Sequence, residues 1–312
     1  MPRSRQTSVS GVLTTGIPFQ VIPERPLHRL ALALGLALAA SVQAAAPAPD
    51  WCLRLAQRLP GVSKADCQGS ALAPTGVESR QGFPILARDI PPPGKGGPGA
   101  PLRILLIGGI HGDELTSSSI VFKWMQWLGR PEAAAYHWRV APLVNPDGLL
   151  AARPQRVNAG GVDLNRNFPT PGWHRDAPVY WQRVTGKDPR RFPGASPLSE
   201  PESRWVSDQI ERFRPHLIVS VHAPFGVLDL DGPAPAPRRF GQLLFKPVGI
   251  YPGSLGNYSG RHKNIPIVTI ELPNARALPS EAEVTRIWKD MLAWIRGHVP
   301  QQAAAGENRP AT

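Results

Sequence analysis

Four short apolar runs rich in β-branched residues, at 102–107, 138–144, 217–221 and 265–270, recur along the chain with helix-like stretches between them. Strands this short and this uniformly apolar belong in a sheet covered on both faces. Residues 116–128 set Ile120, Val121, Trp124 and Leu128 at helical spacing, and Val284, Ile287, Trp288, Met291 and Ile295 form a second stripe near the C-terminus. Ser199 with Glu202, and Ser280 with Glu283, have the capping-box spacing that opens a helix. This alternation predicts an α/β fold, and such folds place their sites beyond the C-terminal ends of the strands.

Chemistry collects at those ends. His111-Gly-Asp-Glu114 follows directly on Leu102-Arg-Ile-Leu-Leu-Ile-Gly-Gly-Ile110, so an imidazole and a carboxylate three residues apart emerge from a buried strand. A catalytic zinc ion is held by three N/O ligands with a fourth position open, and two His with one Glu are a common set. His222, closing the run Leu217-Ile-Val-Ser-Val-His222, is the best third ligand. A four-residue pattern alone is a weak signal, and a lone strand-end His is more often structural.

Further segments follow in order: Asn145-Pro-Asp-Gly148, Arg156-Val-Asn-Ala-Gly-Gly-Val-Asp-Leu-Asn-Arg-Asn-Phe-Pro169, Tyr251-Pro-Gly-Ser-Leu-Gly256 and Ile265-Pro-Ile-Val-Thr-Ile-Glu271-Leu-Pro273. With the His-Gly-Asp-Glu segment they make the chain resemble the zinc carboxypeptidase family over about residues 75–298, most of all its members acting on murein peptides. The resemblance implies a three-layer α/β/α sandwich with a mixed, mostly parallel central sheet. It also implies one Zn2+ held by His111, Glu114 and His222.

Roles follow from the same resemblance. Glu271 takes the place of the general base and zinc-activated water that of the nucleophile. The base assignment is chemically apt, since burial at the end of an apolar strand raises a carboxyl pKa towards the working pH. Asn165 and Arg166 resemble the pair that grips a free substrate carboxylate, for which a planar guanidinium is the right shape. Arg156 resembles the arginine that stabilises the developing oxyanion, with Arg153 as the competing choice because the loop after Gly148 is short. Tyr251 resembles the mobile tyrosine that closes over substrate, or is an ordinary loop aromatic. Asp229, Asp231, Asn257 and Arg261 are collective candidates for specificity.

The N-terminus carries an export address. An apolar run at residues 30–40 follows Arg25, His28 and Arg29 and precedes Val42-Gln-Ala44, the pattern of a signal peptide cleaved near Ala44. The run is too short to span a bilayer, so no stable membrane insertion is expected after cleavage. The two cysteines, Cys52 and Cys67, fall just beyond that point and predict a disulfide in an exported chain, with a short helix at residues 53–59 between them. The expected order is a signal peptide at 1–44, a disulfide-bearing segment at 45–74, the catalytic domain at 75–298 and a disordered tail at 299–312. Pro-rich stretches at 91–101 and 233–237 read as loops.

The net charge of +12 drops to +9 once the four Arg and one Glu of residues 1–44 are removed. The remaining cations are scattered, which argues against nucleic acid and suits anionic cell-wall peptides equally well. The expected function is thus a periplasmic or secreted zinc peptidase hydrolysing an amide bond beside a free carboxylate in murein peptides, in the first instance γ-D-glutamyl-meso-diaminopimelate. A zinc deacylase of N-acyl amino acids and a catalytically silent cell-wall binding protein are the alternatives.

Overall fold

The computed structural model describes residues 50–94 and 100–307. The predicted signal peptide at 1–44 lies outside them. In chain order the elements are α1 (Trp51–Arg58), α2 (Lys64–Gly69), β1 (Ala73–Glu78), β2 (Pro84–Ile90), β3 (Arg103–Ile107), α3 (Leu115–Met125), α4 (Pro131–Ala134), β4 (His137–Ala141) and α5 (Pro146–Leu150). Then follow α6 (Trp173–Arg183), α7 (Pro201–Phe213), β5 (Leu217–His222), β6 (Val227–Asp231), β7 (Arg239–Phe240), β8 (Leu243–Phe245), β9 (Ile267–Glu271) and α8 (Glu281–Glu307).

The strands form one mixed sheet in the order β1-β2-β4-β3-β5-β9-β6-β8-β7. Its central strands β4, β3, β5 and β9 run parallel, and antiparallel pairs flank them on both sides. All four runs predicted as strands lie in that parallel centre. There the alternation of side chains feeds two cores. Ile104 and Leu106 of β3 pack with Trp124 of α3 and with Trp288 and Met291 of α8. Leu105 and Ile107 pack with Trp205, Val206 and Ile210 of α7. The fold is therefore the α/β/α sandwich that the family resemblance implied.

The N-terminal segment is part of this body. A disulfide joins Cys52 in α1 to Cys67 in α2, and Leu55, Leu59, Val62 and Cys67 enter the α3/α8 core. The bridge thus links two helices, where one helix lying between the cysteines was expected. The terminal helix also differs from expectation. It continues to Glu307, five residues from the C-terminus, although residues 299–312 were expected to be disordered. Its Ala303-Ala-Ala305 run has the highest helix propensity available; residues 308–312 lie outside the described part.

Neither capping box forms in full. α7 has no side-chain cap, because Ser199 donates to Glu200 and Glu202 turns inwards. At α8 the backbone N–H of Glu283 donates to Ser280 Oγ at 3.3 Å, while the Glu283 carboxylate accepts from the Gln242 N–H.

Candidate active site

Parallel pairing brings the site together. β3 ends at Ile107 and releases the His111 turn; β5 and β9 end side by side, with His222 and Glu271 as register partners. The turn is held tightly. Gly109 adopts a positive φ of 62° while its N–H donates to Ser117 Oγ, and a Cβ on Gly112 would collide with the backbone of Gly148. Gly148 is confined in turn, since a Cβ there would meet Asn145 Nδ2 and the carbonyls of Gln155 and Val157. Asn145 Nδ2 donates to the carbonyls of Ile110 (3.2 Å) and Arg156 (3.1 Å), tying the His111 turn to the loop that carries Arg156.

His111, Glu114 and His222 are all buried and converge on one point. His111 Nδ1 lies 2.8 Å from Glu114 Oε1, His222 Nδ1 lies 3.1 Å from Glu114 Oε2, and the two Nδ1 atoms are 3.2 Å apart. Ligands at about 2.0–2.1 Å from a tetrahedral zinc stand roughly 3.3 Å from one another, so this triangle is close to the size a zinc ion requires. The facing imidazole nitrogens and the carboxylate present lone pairs to a common centre, a donor set that suits zinc. The nitrogens on the far side of each ring are engaged as well. His111 Nε2 lies 3.2 Å from Asp163 Oδ1, and His222 Nε2 lies 3.0 Å from Ser220 Oγ. Such partners fix ring orientation and tautomer.

Arg156 reaches into the same place. It is buried, its Nε donates to Asp163 Oδ2 at 3.0 Å, and its Nη1 is 3.1 Å from His111 Nδ1 and 3.5 Å from Glu114 Oε1. Arg153 is exposed and outside the cavity, so of the two arginines it is Arg156 that the fold brings to the site. Burial works against the charge of Asp163, but Arg156 beside it holds its carboxyl well below the usual range.

Glu271 is buried at the end of β9, and its Oε2 has no hydrogen-bond partner among the described residues. Desolvation raises its pKa, and the Glu114 carboxylate adds to the rise against the opposing His222. Arg166 is buried too: Nη1 donates to the Asn165 carbonyl at 2.6 Å, while Nε is without a partner. The guanidinium lies over the ring of Tyr251 at 4.4 Å, and the Tyr251 hydroxyl donates to the Val248 carbonyl. Asn165 Oδ1 accepts from the Leu255 N–H, which anchors the 251–256 loop.

These eight side chains all line one cavity of about 690 Å³. Of the four specificity candidates, Asp229 and Asp231 line it, both with pKa values raised by burial, that of Asp231 to about 6. Asn257 and Arg261 do not line it; Asn257 Nδ2 instead donates to the Tyr251 carbonyl, and Arg261 is exposed. Sequence reasoning missed Asp163, although it stands in the quoted Asp-Leu-Asn-Arg motif. It also missed Asp113, which stands inside the quoted His-Gly-Asp-Glu motif, and Arg190, Arg191 and Lys246 on the cavity wall, which no local pattern marks.

A single site thus combines three residues that could hold a metal ion, a buried carboxylate with one oxygen unpartnered and a buried arginine with an unpartnered Nε. The chain belongs to the zinc carboxypeptidase family and is a hydrolase: the family profile described as zinc carboxypeptidase matches residues 75–227. It is 30% identical over 197 residues to murein peptide amidase A of Escherichia coli (strain K12), covering 61% of this chain and 79% of that protein. It is 32% identical over 200 residues to murein peptide amidase A of Vibrio campbellii (strain ATCC BAA-1116), covering 62% and 76%. Among solved structures, bovine thrombin-activatable fibrinolysis inhibitor in complex with tick carboxypeptidase inhibitor shares the fold. Its TM-score is 0.55 at 16% identity, covering 82% of this chain and 95% of that one.

Proposed function

We propose that this chain is an exported zinc-dependent amidase that cleaves an amide bond beside a free carboxylate in murein peptides, the γ-D-glutamyl-meso-diaminopimelate bond first among them. The observation that carries the reading is the convergence of His111, Glu114 and His222 next to the unpartnered Oε2 of Glu271. The printed names of the relatives support the substrate class.

In this reading His111, Glu114 and His222 hold the metal. A zinc ion there supplies Lewis acidity, lowering the pKa of water and polarising a carbonyl. Glu271 takes the proton from the attacking water and returns it to the departing amine, a role suited to a carboxyl whose pKa burial has raised. Arg156, fixed by Asp163, faces the oxygen on which negative charge develops. Arg166, with its free Nε, receives the substrate carboxylate, and Asn165 holds the loop beside it. Tyr251 closes one side of that receptor, with the guanidinium lying over its ring at 4.4 Å.

Export rests on the N-terminal address at residues 1–44 and accords with the Cys52–Cys67 disulfide, a bond that persists in oxidising compartments. Sequencing the N-terminus of protein recovered from the periplasm tests it: a mature start near Ala45 is expected, and a full-length cytoplasmic product would refute export.

The decisive experiment for the activity is digestion of defined murein tripeptide and of N-acyl amino acids by zinc-loaded protein, with products read by mass spectrometry. Release of diaminopimelate from the tripeptide supports the proposal. Release of acyl groups alone identifies a deacylase, and stoichiometric zinc with no turnover identifies a binding protein.

A further inference from the structure

Besides Arg156 and Arg166, the cavity wall carries guanidiniums that the reading above does not use, those of Arg190 and Arg191. Arg191 lies in a 3-10 turn, Pro189–Arg191, and lines the cavity together with Arg166. The two arginines are near enough to repel: after burial and the countering Asp163 charge, Arg156 and Arg191 both help to hold Arg166 below its usual pKa. Its neighbour Arg190 is neutralised by Asp113 at 2.7 Å. Arg191 has no carboxylate partner among the described residues, and it is half-buried, unlike the exposed Lys246 on the same wall.

The segment bearing Arg191 is firmly fixed. The Asp188 side chain accepts from the Arg190 N–H, and the Asp188 carbonyl accepts from Trp181 Nε1 at 2.8 Å. One residue beyond Arg191, the Phe192 carbonyl accepts from the N–H of Asp163 at 2.8 Å, and the Phe192 ring packs edge-on against Trp181. Asp163 is the same residue that bonds Arg156 and faces His111. The turn is therefore bolted to the centre of the site. Like charges on one cavity wall, Arg166 and the carboxylate-free Arg191, are compensated when a ligand supplies the negative charge.

We propose that Arg191 is a second carboxylate receptor, so that the residue released from the scissile amide bond is a dicarboxylic amino acid whose two carboxylates engage Arg166 and Arg191. This deepens the function proposed above and rests on it. Diaminopimelate and lysine make the right pair of probes, because their chains differ by the one distal carboxylate.

The test compares zinc-loaded wild type with Arg191→Gln on two tripeptides identical but for a C-terminal diaminopimelate or lysine. A charge-assisted bond to carboxylate is worth enough to change KM about tenfold or more. The substitution is expected to raise KM for the diaminopimelate peptide by about that factor beyond its effect on the lysine peptide, with Arg191→Lys recovering part of the difference. Equal effects on the two peptides, or none, would overturn the assignment. Calorimetric binding of free diaminopimelate and free lysine gives a readout that does not depend on turnover. Wild type should prefer diaminopimelate and Arg191→Gln should lose the preference. A wild-type protein that binds the two alike refutes the proposal even if the amidase reading stands. A preference erased by the substitution upholds the receptor even if cleavage fails.

Discussion

Asp163 and His111 face one another at 3.2 Å, the carboxylate against the ring nitrogen that points away from Glu114 and His222. An orienting carboxylate behind a metal-binding imidazole typically contributes 10-fold to 100-fold in metal affinity. Asp163→Asn should therefore weaken zinc binding by about one to two orders of magnitude, measured by competition with a chromogenic chelator. Unchanged affinity would show that the pair does not support the metal centre.

Glu271 and Glu114 make a contrasting pair. Glu271→Gln keeps shape but removes the proton acceptor, so zinc content should stay stoichiometric while turnover falls by roughly 10²-fold to 10⁴-fold. Glu114→Gln replaces an anionic ligand with a neutral amide and should lose zinc itself. Elemental analysis alongside peptide hydrolysis separates the two; a Glu271→Gln protein with near-native turnover would remove Glu271 from the mechanism.

A third prediction concerns pH and a carboxyl away from the catalytic centre. Glu202 is fully buried in α7, accepts from Asn158 Nδ2 at 3.1 Å, and has an Oε1 without a partner among the described residues. Burial, reinforced by Asp147 and Glu200, raises its pKa from 4.5 to about 7. Between those values the folded chain keeps a proton that the unfolded chain has lost. Its contribution to stability is thus full below about pH 4.5, declines as pH rises, and levels off above about pH 7. The span corresponds to a loss on the order of 3 kcal/mol. Urea unfolding at pH 5 and pH 8 should show wild type losing more stability than Glu202→Gln by about that amount; parallel losses would contradict it.

The Cys52–Cys67 bridge closes a 15-residue separation, for which the chain-entropy contribution is about 3 kcal/mol. A double Cys→Ser variant should lower stability by roughly that much in denaturant titration while zinc content is retained. Loss of zinc at low denaturant would show that α1 and α2 also support the site.

What the sequence made legible was whatever depends on local pattern. The four apolar runs are the four parallel strands, because a strand buried on both faces must be apolar throughout. His111 and His222 could be read because they end such runs. β1 and β2 were not foreseen: Ala-Pro-Thr-Gly-Val-Glu is too polar and too broken by Pro and Gly to announce an edge strand. Arg191 was invisible for a different reason, since its place in the cavity comes from long-range contacts of Phe192 and Trp181 that leave no periodic trace. The failed capping box at Ser199 has the same origin, for Glu202 is diverted into a hydrogen bond with a residue 44 positions away.

Pairing of His222 with Glu271 sets where this chain can tolerate insertions. Between β6 and β9 the chain passes through β7, β8 and a π-helical segment at Gly256–His262, and in the exposed loops that join them length can drift without disturbing either residue. Within Ile267–Glu271 there is no such freedom. One residue added there would reverse the face to which every later side chain of the strand points, exchanging its side chains between the two cores and turning Glu271 away from the cavity.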